Sequence, residues 1–220
     1  MRKETNGSRL DPSNAYNLNR LSNINNYETG LSGTFGFDYK IKENKKDKFS
    51  LSIAQVVNEK ENKKMASVTS MDEKVSDLVG SSSYKINENI KFDYNFSIDQ
   101  NYNNLNYNEI SSSINFNPIK IKFDFIEEAK HIGEQKYFQT KVDLNSNDNS
   151  VMSFSTKRNL ITDSSEYYNL SYEYLNDCLR AGLVYRREFY DDSELEPENS
   201  LMFKITLTPF GNISSPSFNQ

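Results

Sequence analysis

The chain has 220 residues, of which only 35% are hydrophobic, with a formal net charge of −5 and a mean hydropathy of −0.78. A soluble domain this polar has little to bury, and an acidic chain with a pI near 5.1 is a poor general nucleic-acid binder. The single cysteine, Cys178, excludes a bridge within the chain.

Aromatic residues nevertheless reach 13%, from 14 Tyr and 14 Phe, and Gly and Pro number only 8 and 5, which argues against simple disorder. Polar and aromatic-rich at once is the composition of strands that alternate a lipid face with a wet face, as in an outer-membrane β-barrel. No run of about 18 apolar residues occurs, so no membrane-spanning helix is expected. The start, Met1 to Asn6, lacks the apolar centre of a signal peptide, so the chain reads as the C-terminal part of a longer product.

In chain order, residues 1–27 read as an extracellular, loop-like segment leading into strands that occupy 28–210, with a C-terminal tail at 211–220. Leu31, Gly33, Phe35, Phe37, Tyr39 and Ile41 share one face of the first strand, and Phe49, Leu51 and Ile53 share one face of the second. The Asn and Lys cluster at 43–47 between them predicts a hairpin. Residues 59–74 are highly charged and weakly periodic, which suits a long exposed extracellular loop.

Leu78, Tyr84 and Ile86 lead through an Asn-rich turn into the clearest strand, where Ile90, Phe92, Tyr94, Phe96 and Ile98 oppose Lys91, Asp93, Asn95, Ser97 and Asp99. So many charges on one face cannot enter a soluble core unpaired, so that face must meet water or a wet lumen. From Leu105 to Phe116 the phase shifts between Tyr107 and Ile110, which predicts a β-bulge. Strands follow at 119–125, 138–144, 152–156 and 168–174, giving about eleven in all, most long enough to cross a bilayer at a tilt.

The last hairpin puts Ala181, Leu183, Tyr185 and Phe189 on one face and Arg180, Gly182, Val184, Arg186 and Glu188 on the other. After an acidic loop containing Pro197 comes the closing strand: Ser200, Leu201, Met202, Phe203, Lys204, Ile205, Thr206 and Leu207. Its apolar residues, Leu201, Phe203, Ile205 and Leu207, recur with period two.

Catalytic chemistry, a cofactor and a metal are not expected. His131 is the only histidine and reads as a surface or turn residue, with no metal-ligand spacing around it. Of Arg186 and Arg187, one is expected to face the lumen and the other to snorkel at the interface. The Tyr residues at 167–190 suit an aromatic belt.

Two places resemble the LptD family of LPS-assembly outer-membrane proteins. The first is Asn19, Arg20 and Ser22 followed by Glu28 and Gly30 before a strand; Asn23, Asn25 and Asn26 depart from the family's Gly, Asp and Arg there. The second is Cys178 with Arg186, Arg187, Pro197 and the closing strand. The resemblance implies the C-terminal portion of a larger antiparallel transmembrane β-barrel in the outer membrane of a Gram-negative bacterium, with an all-β fold. It implies transport of lipopolysaccharide from a periplasmic LPS-transport bridge to the outer leaflet, an LptE-like lipoprotein plugging the lumen, and escape of the lipid sideways into outer-membrane lipid.

On that pattern the strand 200–207 forms one lip of the lateral gate, and Cys178 bridges to a cysteine outside this chain. Lys91, Asp93, Lys120, Lys122, Asp124, Lys141 and Asp143 are candidates to line the lumen. The alternative is another outer-membrane β-barrel transporter of porin or TonB-dependent receptor type, although the ending Ser217-Phe218-Asn219-Gln220 lacks the terminal aromatic usual in such receptors. An outer-membrane hydrolase would need His131 beside a Ser or acid, and a soluble β-sandwich adhesin would have to bury the charged faces.

Overall fold

A computed structural model describes residues 9–18, 20–21, 28–131, 133–147, 149–176, 178–189, 198–207, 211–214 and 218–219. Among the described residues the fold is all-β, with no α-helix and one short 3-10 turn, Ser67–Thr69. The long strands are β1 Ser32–Glu43, β2 Lys46–Asn58, β3 Leu78–Lys85, β4 Ile90–Ile98, β5 Leu105–Phe116, β6 Ile119–Glu128, β7 Gln135–Asn147, β8 Ser150–Asn159, β9 Ser164–Leu175, β10 Leu179–Glu188 and β11 Glu198–Leu207. These are the eleven expected from periodicity. Two short strands follow, β12 Gly211–Ser214 and β13 Phe218–Asn219, both paired with β11.

The strands form one sheet in which they are ordered β1 to β12 as in the sequence, and β1 to β4 and β7 to β11 pair antiparallel with their neighbours. Each hairpin therefore places its strand beside the one just made, as in an up-and-down barrel wall. β1 has no partner on its outer edge among the described residues. The chain divides into two compact units, one of residues up to 111 with 126–135 and one of 112–125 with 136–220.

In the first unit, pairing registers gather the apolar side chains on one face: Phe37 opposite Ile53, Tyr39 opposite Leu51, Phe49 opposite Tyr84, and Tyr84 opposite Phe92. Phe35, Phe37 and Tyr39 stand exposed on it, as residues that meet lipid do. Gly80, on the same face, is roofed by the ring of Phe96; a Cβ there would come within 2.2 Å of the ring.

The opposite face carries the tight packing. Leu10, Ala15 and Leu21 are buried with Ala54 and Val56 of β2, Val79 of β3, and Met65 and Met71 of the loop after β2. So the described part of the N-terminal segment is not a free loop: residues 9–18 and 20–21 fold back onto the less exposed face of the first strands. Tyr16 lies over Gly36, where a Cβ would sit 1.9 Å from the Tyr16 hydroxyl and 2.5 Å from the Ile53 carbonyl oxygen. Only glycine lets the segment approach so closely.

The charged loop 59–77 also differs from a free extracellular loop. Met65, Thr69, Ser70 and Met71 are buried, and backbone bonds lace its two limbs together, Asn58 N to Lys74 O at 2.7 Å and Asn62 N to Asp72 O at 2.8 Å. In β5 the neighbours Asn106 and Tyr107 are both buried. Tyr107 belongs to the inner face, where its hydroxyl donates to Glu109 Oε2 at 2.9 Å, while Ile110 is exposed.

In the second unit β8, β9 and β10 pair so that Phe154 lies opposite Leu170, Tyr172 opposite Leu183, and Tyr185 opposite Leu201. β10 pairs with β11 over ten residues from Leu179 and Leu207 to Glu188 and Glu198. That face is again exposed and apolar, with Tyr168, Leu170, Tyr172 and Leu183 on it.

Candidate functional site

The first family-like segment becomes a clamp. Arg20 Nη1 donates to Glu28 Oε1 at 2.8 Å and to Ser32 Oγ at 3.2 Å, Nη2 donates to Thr34 Oγ1 at 3.0 Å, and Nε donates to the Ala15 carbonyl at 2.7 Å. The guanidinium fork thus ties the folded-back segment, the approach to β1 and β1 itself together, a task that a single ammonium could not match. Thr34 Oγ1 also donates to the Ala15 carbonyl at 2.8 Å. Gly30, at φ +94°, supplies the left-handed turn that brings the chain from Glu28 into β1. Asn19, Ser22 and Pro197 lie outside the described residues.

A second cluster was not foreseen. His131 is buried rather than on the surface, its side chain only 1% exposed. Its Nδ1 lies 2.9 Å from Glu128 Oε1 and its Nε2 lies 3.5 Å from Asp77 Oδ2. Asp77 also accepts from Asn106 Nδ2 at 2.8 Å and Ser97 Oγ at 3.0 Å, and Lys130 Nζ stands 3.8 Å away.

Arg9 Nη1 lies 3.6 Å from Glu128 Oε2, and its guanidinium covers the Tyr107 ring at 3.2 Å from the centroid. Asn95 Nδ2 and Tyr107 both donate to Glu109 Oε2. Asp77 and Glu128 meet three cationic groups, His131, Lys130 and Arg9, which is how buried charge is tolerated.

Burial alone would lower the pKa of His131, but its hydrogen bonds to Asp77 and Glu128 and their negative charges raise it. Burial alone would raise Asp77, but the hydrogen bonds from His131 and Asn106 and the charge of Lys130 lower it. The imidazole therefore holds its charge and acts as a strut between two carboxylates.

The polar faces of several strands carry paired charges at i and i+2, which period two places side by side. In the first unit Lys91 meets Asp93 at 2.7 Å. In the second, Lys122 meets Asp124 at 2.9 Å and Lys141 meets Asp143 at 3.0 Å, while Lys157 of β8 meets Glu166 of the neighbouring β9 at 2.5 Å. Arg186 pairs with Glu188 and covers Tyr167, on this polar face, whereas Arg187 lies opposite Tyr168, on the apolar face, and covers Phe189. The two arginines thus lie on opposite faces of β10, as neighbours in a strand do.

β11 carries the closing-strand candidates. Its inner edge is paired to β10 throughout; on the other edge β12 pairs with Lys204, Ile205, Thr206 and Leu207, and β13 with Ser200 and Leu201. Cys178 is an exposed free thiol in the turn between β9 and β10, where Asn176 Oδ1 accepts from the Cys178 and Leu179 amides at 3.0 and 2.7 Å. Among the described residues no group of His, Cys, Asp and Glu has the arrangement of a metal site.

The sequence brings Arg20 and Glu28 together with their motif and Glu128 within three residues of His131, but Arg9 and Asp77 reach that pair only across long separations. A family model described as LptD, LPS transport system D, matches residues 4–132 of the chain. No curated protein matches it.

Proposed function

The chain belongs to the LptD family, and from that premise we propose that it forms part of the outer-membrane wall through which lipopolysaccharide passes to the outer leaflet. The observation that carries this reading is the contrast of faces: exposed aromatics on one side of the strands, and charge pairs such as Lys141 with Asp143 on the other. Lipopolysaccharide has an anionic sugar head and apolar tails, so a wet, charge-bearing inner face suits the head while the tails need a way into lipid.

Loop lengths support an orientation. The connections 44–45, 86–89, 117–118 and 176–178 are short, whereas 59–77, 99–104, 129–134 and 189–197 are longer. Outer-membrane barrels keep short turns in the periplasm and longer loops outside. On this reading the clamp and the His131 cluster lie at the extracellular end, and Cys178 faces the periplasm, where an oxidising environment favours a bridge to a cysteine outside this chain.

The strand β11 is assigned to one lip of a lateral gate, with β12 and β13 covering part of its free edge. An LptE-like lipoprotein plug and a periplasmic lipopolysaccharide bridge are the partners assigned on the same basis.

The test is purification of the protein from the outer membranes of its native source without reductant. Lipopolysaccharide is expected to co-purify, and electrophoretic mobility is expected to change on reduction in the native protein but not in Cys178→Ser. Protein recovered free of lipopolysaccharide, in a fraction that contains no outer membrane, would refute the reading.

A further inference from the structure

Four lysines without an ion pair among the described residues gather in the loop after β2. Lys60, Lys63 and Lys64 on the outgoing limb of the 59–77 loop and Lys74 on its returning limb line an open cleft of about 600 Å³, together with Thr29, Glu61 and Asn62. The strand lysines Lys91, Lys122, Lys141 and Lys157 each meet a carboxylate. None of the four cleft lysines has an ion pair among the described residues. Four lysines thus line the cleft against one carboxylate, Glu61.

The convergence is built rather than accidental. Asn58 fixes both limbs, its backbone N–H bonded to the Lys74 carbonyl at 2.7 Å and its side-chain amide to the Glu73 carbonyl at 2.8 Å. Asn62 is buried, its N–H bonded to the Asp72 carbonyl and its Oδ1 accepting from Thr29 Oγ1 at 3.4 Å. Glu59 N bonds the Leu31 carbonyl at 2.9 Å, and Met65 and Met71 anchor the loop beneath.

A cleft lined by several unpaired lysines offers a positive field that favours a polyvalent anion. The volume lies in the range that takes a small organic ligand rather than a bare ion. Lysine also serves phosphate well, as a point charge.

We propose that this cleft binds phosphate esters carried on a sugar. Resting on the transport reading above, its occupant is the phosphorylated head of lipopolysaccharide arriving at the extracellular end. The shared chemistry with free phosphate is the oxyanion, and the two sources separate in the test.

The protein is studied in native outer membranes with a photoactivatable benzoylphenylalanine at Glu61, inside the cleft, or at Lys141, on the inner face of β7. Both positions are expected to form adducts with lipopolysaccharide. Combining Lys60→Gln, Lys63→Gln, Lys64→Gln and Lys74→Gln is expected to lower the adduct at 61 at least roughly tenfold and leave that at 141 unchanged, since exposed charge contacts are individually weak but here act together. The four corresponding arginine substitutions are expected to restore it.

An adduct at 141 with none at 61, or one at 61 indifferent to the glutamine substitutions, would overturn the cleft proposal and leave the transport reading standing. Absence of adducts at both positions would overturn the transport reading instead. Inorganic phosphate in large excess is expected to leave the adduct at 61 in place; its loss at phosphate concentrations matching those of the lipid would assign the cleft to free phosphate.

Discussion

His131→Ala is expected to destabilise the first unit by about 3–5 kcal/mol, the cost of removing one partner from a buried charge network. The substitution leaves Asp77 and Glu128 facing one another with only Lys130 and Arg9 nearby, and with a cavity where the ring had been. Protease cleavage within 59–77 on intact cells measures the effect, because Asp77 closes that loop. Wild-type resistance in the variant would show that the imidazole is not the strut.

The same cluster fixes a pH dependence. His131 has a raised pKa when folded, so its contribution is complete below the ordinary histidine value of 6.5 and is lost as pH rises through the higher folded value. Asp77 has a lowered pKa, so its contribution is complete above the ordinary aspartate value of 3.8 and is lost as pH falls through the lower folded value. Resistance of the loop should therefore be greatest between those ordinary values and decline in alkali. A loop that grows more resistant as pH rises above neutrality would contradict the assignment of charge to His131.

Arg20→Ala is expected to cost about 2–4 kcal/mol, because four hydrogen bonds go and a mostly buried Glu28 carboxylate loses its counter-charge. Arg20→Lys should recover only part of this, since one ammonium cannot span Ala15, Glu28 and Thr34 together. The temperature at which the protein in outer-membrane extracts loses its folded mobility on gels reports the difference. Full stability in Arg20→Lys would mean that charge alone, and not the fork, holds the segment.

The strands were legible because period two writes itself into the sequence: Ile90, Phe92, Tyr94, Phe96 and Ile98 recur on one face whatever the rest of the chain does. The clamp was half legible. Arg20 and Glu28 stood out through their family pattern, but their geometry depends on Ala15, Ser32 and Thr34, which are ordinary in the sequence.

The buried cluster was not legible at all. His131 sits in a short polar stretch that looks exposed, and its burial comes from Asp77 more than fifty residues earlier and from Arg9 at the far end of the chain. Tyr107 looked like a slip in phase because its true partner is a guanidinium from outside the sheet. Met65 and Met71 vanish among charged neighbours because a loop folded by its own backbone bonds needs no periodicity. Local pattern reports which face a strand buries, whereas what covers that face is decided by distant chain.

Depletion of the protein in its native bacterium tests the central claim most directly, with newly made lipopolysaccharide followed by radiolabel and separated by membrane fractionation. Label is expected to fall in the outer leaflet and accumulate in the inner membrane within the first generations of depletion. Undiminished surface lipopolysaccharide after the protein has disappeared would contradict a role in its transport.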